Sequence, residues 1–132
     1  MKNNLYLIKK GFFTEMNLGF SVDISIKNYA FKNNDKVLAK KICDYLKKGT
    51  VIAACFGISK DIFDENKVSG DQSLLTDGKY VWPNNLAYYV KKYGVEIDNE
   101  FLEFMIKNNW TNSFSDSDLQ NMNVYIDGQK IF

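Results

Sequence analysis

Arginine and histidine are both absent from this chain of 132 residues. Without histidine, the chain cannot form a Ser-His or Cys-His nucleophile pair, and it lacks the usual general base at neutral pH. Without arginine, it lacks the planar fork that clamps phosphate and reads guanine, which weakens any hypothesis of nucleotide or DNA recognition. These two absences argue against most hydrolases and transferases, and they predict a protein that binds rather than one that catalyses.

Cysteine and long apolar runs are also scarce. Cys43 and Cys55 lie in apolar segments, and their separation fits no common metal site, so they predict buried, reduced thiols. No apolar run is long enough for a membrane helix, and residues 1–16 lack the apolar core of a secretory signal. We therefore expect a soluble cytoplasmic protein without a cofactor.

Charge is plentiful but unevenly distributed. The net charge is only +1, yet residues 1–48 carry ten lysines against four acids, and residues 49–132 carry seven lysines against twelve acids. The small net charge argues against nonspecific binding to nucleic acids or membranes. The asymmetry predicts one pole that faces a partner, although charged runs are usually solvated surface.

Three segments have the apolar spacing of amphipathic helices. The first covers residues 35–48 and stops at Gly49, the second stops at Gly94, and the third follows Asp98. The expected N-terminal caps are Asn34, Asn84 or Asn85, and Asp98. The expected core positions are Leu38, Ile42, Tyr45 and Leu46, then Leu86, Tyr89, Val90 and Tyr93, then Leu102, Met105, Ile106 and Trp110.

Strand patterns accompany these helices. Residues 20–26 alternate between apolar and polar side chains, which is typical of a half-buried strand, and residues 5–9 predict another. The apolar run 50–58 is typical of a central strand that is covered on both faces.

Turn signals complete the fold prediction. Asp77-Gly78 and Asp127-Gly128 are favoured two-residue turns of β-hairpins, whereas the polar residues 60–77 predict a long surface loop. Trp82-Pro83 precedes a helix start, where the indole is expected to pack beneath the helix. Together these elements predict a single α+β domain over residues 1–132, with a mainly antiparallel sheet and about three principal helices.

The acids of the predicted loop admit several interpretations. They do not match a calcium-binding loop, because the glycine falls one position late and Val68 takes a ligand position. A pair of catalytic carboxylates cannot be recognised from spacing alone. Tyr88 lies beside the core positions of the second helix, so it is a candidate for an exposed interface anchor.

Several motifs occur between residues 44 and 110: DYLKKGTVIAA, Asp61 followed by Phe63, LLTDGKYVWPNNLAYYVKKYGV, EFLEFM and Trp110. With them the chain resembles a family of small, largely uncharacterised bacterial domains, most specifically through D-G-x-Y-x-W-P-x-x-L-A-Y-Y-V. Such domains resemble those encoded beside polymorphic or contact-dependent toxins, where an immunity protein binds and blocks its cognate toxin. The resemblance implies a binding function and brings no catalytic residues. The family's more usual proline near Asp98 is missing here, which concerns only the start of the last helix.

The leading hypothesis is an immunity-type protein that binds a basic toxin domain through an acidic surface. The residues predicted to contact the toxin are Asp61, Asp64, Glu65, Asp71, Tyr88, Glu96, Glu100 and Glu103. No metal, nucleic acid or membrane is expected to take part. One alternative is a small-molecule-binding regulatory domain, which an internal pocket with convergent polar groups would favour. A metal-dependent enzyme is the third hypothesis.

Overall fold

The computed structural model describes residues 2–54 and 57–131, and these residues form two sheets and four α-helices. The strands are β1 (Asn3–Lys9), β2 (Thr50–Ala53), β3 (Ser59–Asp61), β4 (Asp64–Gly70), β5 (Leu74–Thr76), β6 (Tyr80–Pro83), β7 (Met122–Ile126) and β8 (Gln129–Lys130). The α-helices are α1 (Lys36–Lys47), α2 (Leu86–Tyr93), α3 (Asn99–Lys107) and α4 (Asp116–Gln120). Two short 3₁₀ helices, Thr14–Met16 and Ile26–Asn28, precede α1.

The larger sheet has six strands in the order β2-β5-β6-β1-β7-β8, and β3 and β4 form a separate hairpin. The β2/β5, β5/β6, β7/β8 and β3/β4 pairs are antiparallel. Strand β1, by contrast, runs parallel to both of its neighbours, β6 and β7. The fold is therefore α+β with a mostly antiparallel sheet, and parallel pairing at β1 joins its two antiparallel halves.

Side chains that alternate along the strands supply two hydrophobic clusters. Leu75, Tyr80 and Trp82 pack with buried residues of α1, α2 and α3. Their neighbours Leu74 and Val81 pack with β1, β7 and α4, a helix that the sequence analysis did not predict. Because successive strand residues point to opposite faces, the two clusters cover the two sides of β5 and β6.

Trp82 lies in the first cluster, fully buried, as the sequence predicts. Its indole N–H donates to the Leu46 carbonyl at 3.1 Å, and its ring centroid lies 6.0 Å from Tyr45 and 5.4 Å from Phe101. Gly49 lies against the same indole, and a Cβ at that position would come within 2.7 Å of the ring. Helix α1 can therefore end directly over the sheet because residue 49 has no side chain.

The prediction of a central, doubly covered strand at residues 50–58 was wrong. Strand β2 stops at Ala53 and lies at an edge of the sheet, where its single strand neighbour is β5. Ile52 faces the second cluster, whereas Val51 is half exposed. Cys55 lies outside the described residues, while Cys43 is buried in the first cluster as expected.

The predicted strand at residues 20–26 is also absent from the structure. Residues 20–25 belong to neither sheet, Ile26 begins a 3₁₀ helix, and the Ile24 carbonyl accepts the Thr14 N–H at 2.9 Å. Phe20 and Val22 nevertheless pack against the second cluster. Ile24, however, is 42% exposed, and Ile26 packs in the first cluster, so the alternating apolar residues do not share one buried face here.

Residues 60–77 contain most of three strands, not the long loop that the sequence predicts. Residues 65–68 of β4 are exposed one after another, so the hairpin carries no alternating apolar pattern that would reveal it. The β3–β4 hairpin packs against α2. This docking places polar residues of the hairpin beside the tyrosines of the helix.

Both Asp-Gly hairpins are confirmed. Asp127 and Gly128 form a two-residue turn between β7 and β8, and both have positive φ, as a type I′ turn requires. Asp77, Gly78 and Lys79 separate β5 from β6, so that loop is one residue longer than predicted.

Two helix details differ from the sequence predictions. The buried face of α3 is formed by Phe101 and Met105, and Ile106 is half exposed. Helix α1 is capped by Asp35, not Asn34, because the Asp35 carboxylate accepts the backbone N–H groups of Val37 and Leu38.

Candidate functional site

Asp61 is an aspartate buried where the β3–β4 hairpin meets α2, and its side chain has no solvent exposure. Its Oδ1 accepts the backbone N–H of Phe63 at 2.7 Å. Its Oδ2 accepts the hydroxyl protons of Tyr88 at 2.6 Å and Tyr93 at 2.5 Å, and the Lys92 ammonium lies 3.4 Å away. The structure therefore places Asp61 beneath the surface, not on the exposed acidic surface that the sequence predicts.

The two tyrosines bonded to this carboxylate belong to a cluster of four aromatic rings, which we call the aromatic platform: Phe31, Phe63, Tyr88 and Tyr93. The Phe63 and Tyr93 centroids are 4.6 Å apart, and Phe31 lies edge-on to both rings, at 5.8 Å and 5.9 Å. Tyr88 lies 6.4 Å from Tyr93. Because the two tyrosine hydroxyls share one buried acceptor, the buried carboxylate fixes the positions of both rings.

Phe31 is the most exposed member of the platform, with 67% of its surface accessible. Its φ is +64°, a left-handed conformation that costs a non-glycine residue about 1–2 kcal/mol. The Phe31 N–H donates to the Tyr93 carbonyl at 2.7 Å, and the next two N–H groups both donate to the Gly94 carbonyl. The chain thus holds an exposed aromatic ring on a strained backbone, an arrangement that points to binding more than to folding.

The charges of this cluster follow from its hydrogen bonds. Burial alone would raise the pKa of Asp61, but the bonds from Tyr88, Tyr93 and the Phe63 N–H outweigh it and lower that pKa. The hydrogen bond to Asp61 raises the pKa of Tyr93 to about 12. Burial, together with the same acceptor, raises the pKa of Tyr88, and the bond to Tyr88 raises the pKa of Lys92. At neutral pH the site therefore contains a carboxylate, two neutral tyrosines and an ammonium group.

Three other acids of the predicted contact set, Asp64, Glu65 and Asp71, lie at two different ends of β4. Asp64 and Glu65 directly follow Phe63, so they lie beside the platform, and Glu65 is exposed. Asp71 lies beyond the other end of the strand, where its carboxylate accepts the Asn84 amide at 3.1 Å. Asp64 and Glu65 thus supply negative charge at the platform, whereas Asp71 holds the chain near the start of α2.

The predicted acids at residues 96–103 lie in a different place. Glu96, Glu100 and Glu103 are all exposed. Glu96 lines a groove of about 320 Å³ between residues 9–13, residues 21–24 and the start of α3. Glu100 accepts the Tyr80 hydroxyl at 3.0 Å and lies 3.6 Å from the Lys10 ammonium. The structure therefore divides the predicted acidic surface between the hairpin and α3.

Half of the predicted contact residues lie in or beside the platform: Tyr88 is a member, Asp61 accepts its hydroxyl, and Asp64 and Glu65 follow Phe63 in the chain. Tyr88 is half buried and not fully exposed, because its hydroxyl donates inward. The sequence analysis missed Phe31 and assigned Tyr93 to the core. The available signal for Phe31 was an aromatic residue directly before the polar stretch KNND, outside any predicted helix or strand.

No known protein family, curated protein or solved structure matches this chain. In the part of the chain that the structure describes, no helix has the length and apolar character to cross a membrane. Over the same residues, no three Cys, Asp or Glu side chains are grouped so as to hold a metal ion. A functional proposal therefore has to be argued from the site itself.

Proposed function

We propose that this chain is a cytoplasmic immunity-type protein that binds a basic toxin domain through the aromatic platform and the neighbouring acids Asp64 and Glu65. The observation that carries the proposal is the exposed Phe31 ring, held at a φ of +64° over Phe63 and Tyr93. The motif resemblance to immunity-type domains agrees with it. Asp64 and Glu65 lie beside the rings and carry negative charge, so they favour a partner whose contact surface is positively charged.

The platform has the physical properties of a binding anchor. Aromatic side chains supply large contact area at a low cost in side-chain entropy, and they are enriched among the residues that dominate interface energies. The buried Asp61 carboxylate fixes Tyr88 and Tyr93 through their hydroxyls, so these rings lose little freedom when a partner arrives. The two tyrosine rings of the platform are therefore already held in place in the free protein, before a partner binds.

The acids beside the platform favour a cationic partner. Glu65 is exposed, and a partner lysine or arginine can pair with it while it lies against the exposed Phe31 ring. The rings of Tyr88 and Tyr93 already have the Lys92 ammonium 5.3 Å and 5.4 Å from their centroids. Toxin nucleases expose basic clefts for their substrates, which acidic side chains can occupy. Exposed charges of this kind act mainly on the rate of association, which falls as salt screens them.

The burial of Asp61 favours binding over catalysis. A general acid or base has to reach the atom whose proton it transfers. The Asp61 side chain has no solvent exposure, and its carboxylate already accepts two tyrosine hydroxyls and a backbone N–H. We therefore assign this carboxylate a positioning role for the platform.

The test requires a candidate toxin domain, sought among the genes that neighbour this chain's gene in its source genome. Growth would be measured when that domain is co-expressed with the wild type or with charge-reversal variants, and association and dissociation rates would be measured over a salt series. The platform pair Asp64→Lys with Glu65→Lys is matched by Glu96→Lys with Glu103→Lys, which changes the net charge equally on the other acidic group.

We expect the wild type to protect the cells and to associate more slowly as salt increases. The platform pair should slow association more than the matched pair does, and Phe31→Asp should abolish protection. If the wild type neither protects nor binds, the immunity function is wrong. If it protects but the matched pair has the larger effect, the contact surface lies at α3 instead.

A further inference from the structure

The groove that Glu96 lines is a second candidate for a binding site. It lies between residues 9–13, residues 21–24, Tyr29 and the start of α3, and its volume is about 320 Å³. This volume is at the lower end of the range for small-molecule sites, so the groove suits a compound with a single ring better than a nucleotide. None of the described residues that line it belongs to the aromatic platform.

Apolar side chains with accessible surface line this groove. Ile24 is 42% exposed, and Val22 and Tyr29 are partly buried. The Tyr29 ring lies 5.7 Å from the ring of Phe13, which also lines the groove. A ligand with an apolar body can therefore remove exposed surface of these side chains from water, which favours its binding.

Hydrogen bonds hold two walls of the groove in place. The Glu96 N–H donates to the Tyr29 carbonyl at 2.9 Å, which joins the chain before α3 to the segment that carries the Tyr29 ring. The Thr14 N–H donates to the Ile24 carbonyl at 2.9 Å, which joins residues 21–24 to the chain that follows β1. The walls therefore need little ordering when a ligand binds.

The two lysines among the described lining residues, Lys9 and Lys10, already have carboxylate partners. Lys10 lies 2.8 Å from Asp98, another residue of the groove. Lys9 lies 2.5 Å from Asp127, outside the groove, and its ammonium also donates to the Ser21 carbonyl at 2.6 Å. Neither lysine is therefore left to balance the other acids of the groove.

Asp23 and Glu96 are these other acids. They belong to different walls, since Asp23 lies in residues 21–24 and Glu96 precedes α3. Both residues are exposed, and neither forms an ion pair with a described residue, so a ligand can reach both carboxylates. Among the described residues, three acids and two lysines line the groove, which gives the lining one net negative charge. A ligand with one positive charge would balance it.

We propose that this groove binds a small primary amine with an apolar ring or chain. Its ammonium group would pair with the carboxylates of Asp23 and Glu96, and its apolar body would cover Ile24 and Tyr29. Such a ligand matches both the charge and the apolar surface of the lining. The proposal goes beyond the toxin contact and does not depend on it, because the amine is tested on the protein alone.

Calorimetric titration of the full chain would test the proposal with 2-phenylethylamine as the probe. The matched control compounds are 2-phenylethanol, which lacks the charge, 3-phenylpropionate, which reverses it, and ethylamine, which lacks the ring. We expect saturable binding of 2-phenylethylamine, and binding of all three control compounds that is weaker by about tenfold or more.

Glu96→Gln and Asp23→Asn test the carboxylates, at exposed positions where the substitution does not endanger folding. Each should weaken binding of 2-phenylethylamine by about tenfold, whereas Glu103→Gln, an exposed position of α3 outside the groove, should leave it unchanged. The proposal is overturned if 2-phenylethylamine does not saturate the protein by about 10 mM, or if 2-phenylethanol binds as well as the amine. It is also overturned if Glu96→Gln and Glu103→Gln bind the amine equally, since the ammonium would then pair elsewhere.

Discussion

Asp77 and Asp61 are both buried aspartates, and each has an Oδ2 that accepts a tyrosine hydroxyl at 2.6 Å. Around Asp77, the tyrosine is Tyr45, and the other carboxylate oxygen accepts two backbone N–H groups, one from Lys79 in the loop and one from Tyr80 at the start of β6. Around Asp61, the tyrosine is Tyr88, and the rings lead outward to the surface. The same type of hydrogen bond thus occurs once in the buried core and once in a cluster that reaches the surface.

The surroundings of the two carboxylates account for their different roles. Tyr45 contacts Trp82 and Phe101, and all three rings are buried in the first hydrophobic cluster. Burial of these rings stabilises the fold, and almost none of their surface remains exposed for contact with a partner. The platform ends instead in Phe31, which is mostly exposed. We therefore propose a binding role only for the tyrosine–aspartate bonds of the platform, whose cluster reaches solvent at Phe31.

Trp82→Ala should have the largest effect on stability, because it removes the central ring of the core region. We expect a loss of about 3–5 kcal/mol in the free energy of unfolding, measured by chemical denaturation. Trp110→Ala is the matched control, since Trp110 is partly buried at the margin of the same cluster, and it should cost less. A loss below about 1 kcal/mol for Trp82→Ala would contradict the burial of the indole.

Asp77→Ala should rank second. It leaves the Tyr45 hydroxyl and two backbone N–H groups of the turn without their acceptor, and buried unpaired donors cost about 1–3 kcal/mol. The same denaturation experiment measures the loss, and Tyr45→Phe, which removes a single bond, should cost less. Binding through the platform should survive in both variants, provided that they fold. Loss of binding in a folded Asp77→Ala protein would show that the two regions are coupled.

Asp61→Asn should show a smaller loss that depends on pH. The pKa of Asp61 is lowered in the folded state, so its contribution is complete above the unfolded pKa of about 3.9 and disappears as pH falls through the lower, folded value. At neutral pH we expect the variant to be less stable by about 1 kcal/mol, the net value of a hydrogen bond.

Denaturation of the wild type and Asp61→Asn at several pH values measures this dependence. The difference between the two proteins should shrink in acid, which separates Asp61 from other carboxylates with lowered pKa, such as Asp71, that both proteins share. A difference that stays constant from neutral pH to about pH 2 would mean that the ionised form is not what the tyrosines stabilise.

The sequence predicted those parts of the fold that local patterns determine. Helix α1, both Asp-Gly hairpins and the burial of Trp82 follow from apolar spacing, caps and turn residues. The platform could not be predicted in this way. Asp61 and Asp64 stand in the same polar stretch, and only docking of the hairpin against tyrosines 27 and 32 residues away buries the first of them.

Phe31→Gly should have the smallest effect on stability and a large effect on binding. Glycine adopts a φ of +64° without steric cost, which recovers about 1–2 kcal/mol, whereas its greater freedom in the unfolded chain costs roughly 0.5–1 kcal/mol. The ring contacts with Phe63 and Tyr93 are lost as well. Because these contacts lie at the surface, we expect their loss to cancel what remains of the gain in stability and to exceed it little. We expect a net change within about 1 kcal/mol.

Phe31→Ala makes the comparison decisive, because alanine removes the same ring but keeps the strained backbone. Denaturation should therefore rank Phe31→Ala below Phe31→Gly in stability, while both variants should speed dissociation of the toxin domain to a similar extent, since each lacks the anchor. If Phe31→Gly instead loses more than about 2 kcal/mol, the ring packs as part of the fold. If it binds like the wild type, the strained backbone presents a ring that the partner does not contact, and the anchor has to be sought at Tyr88.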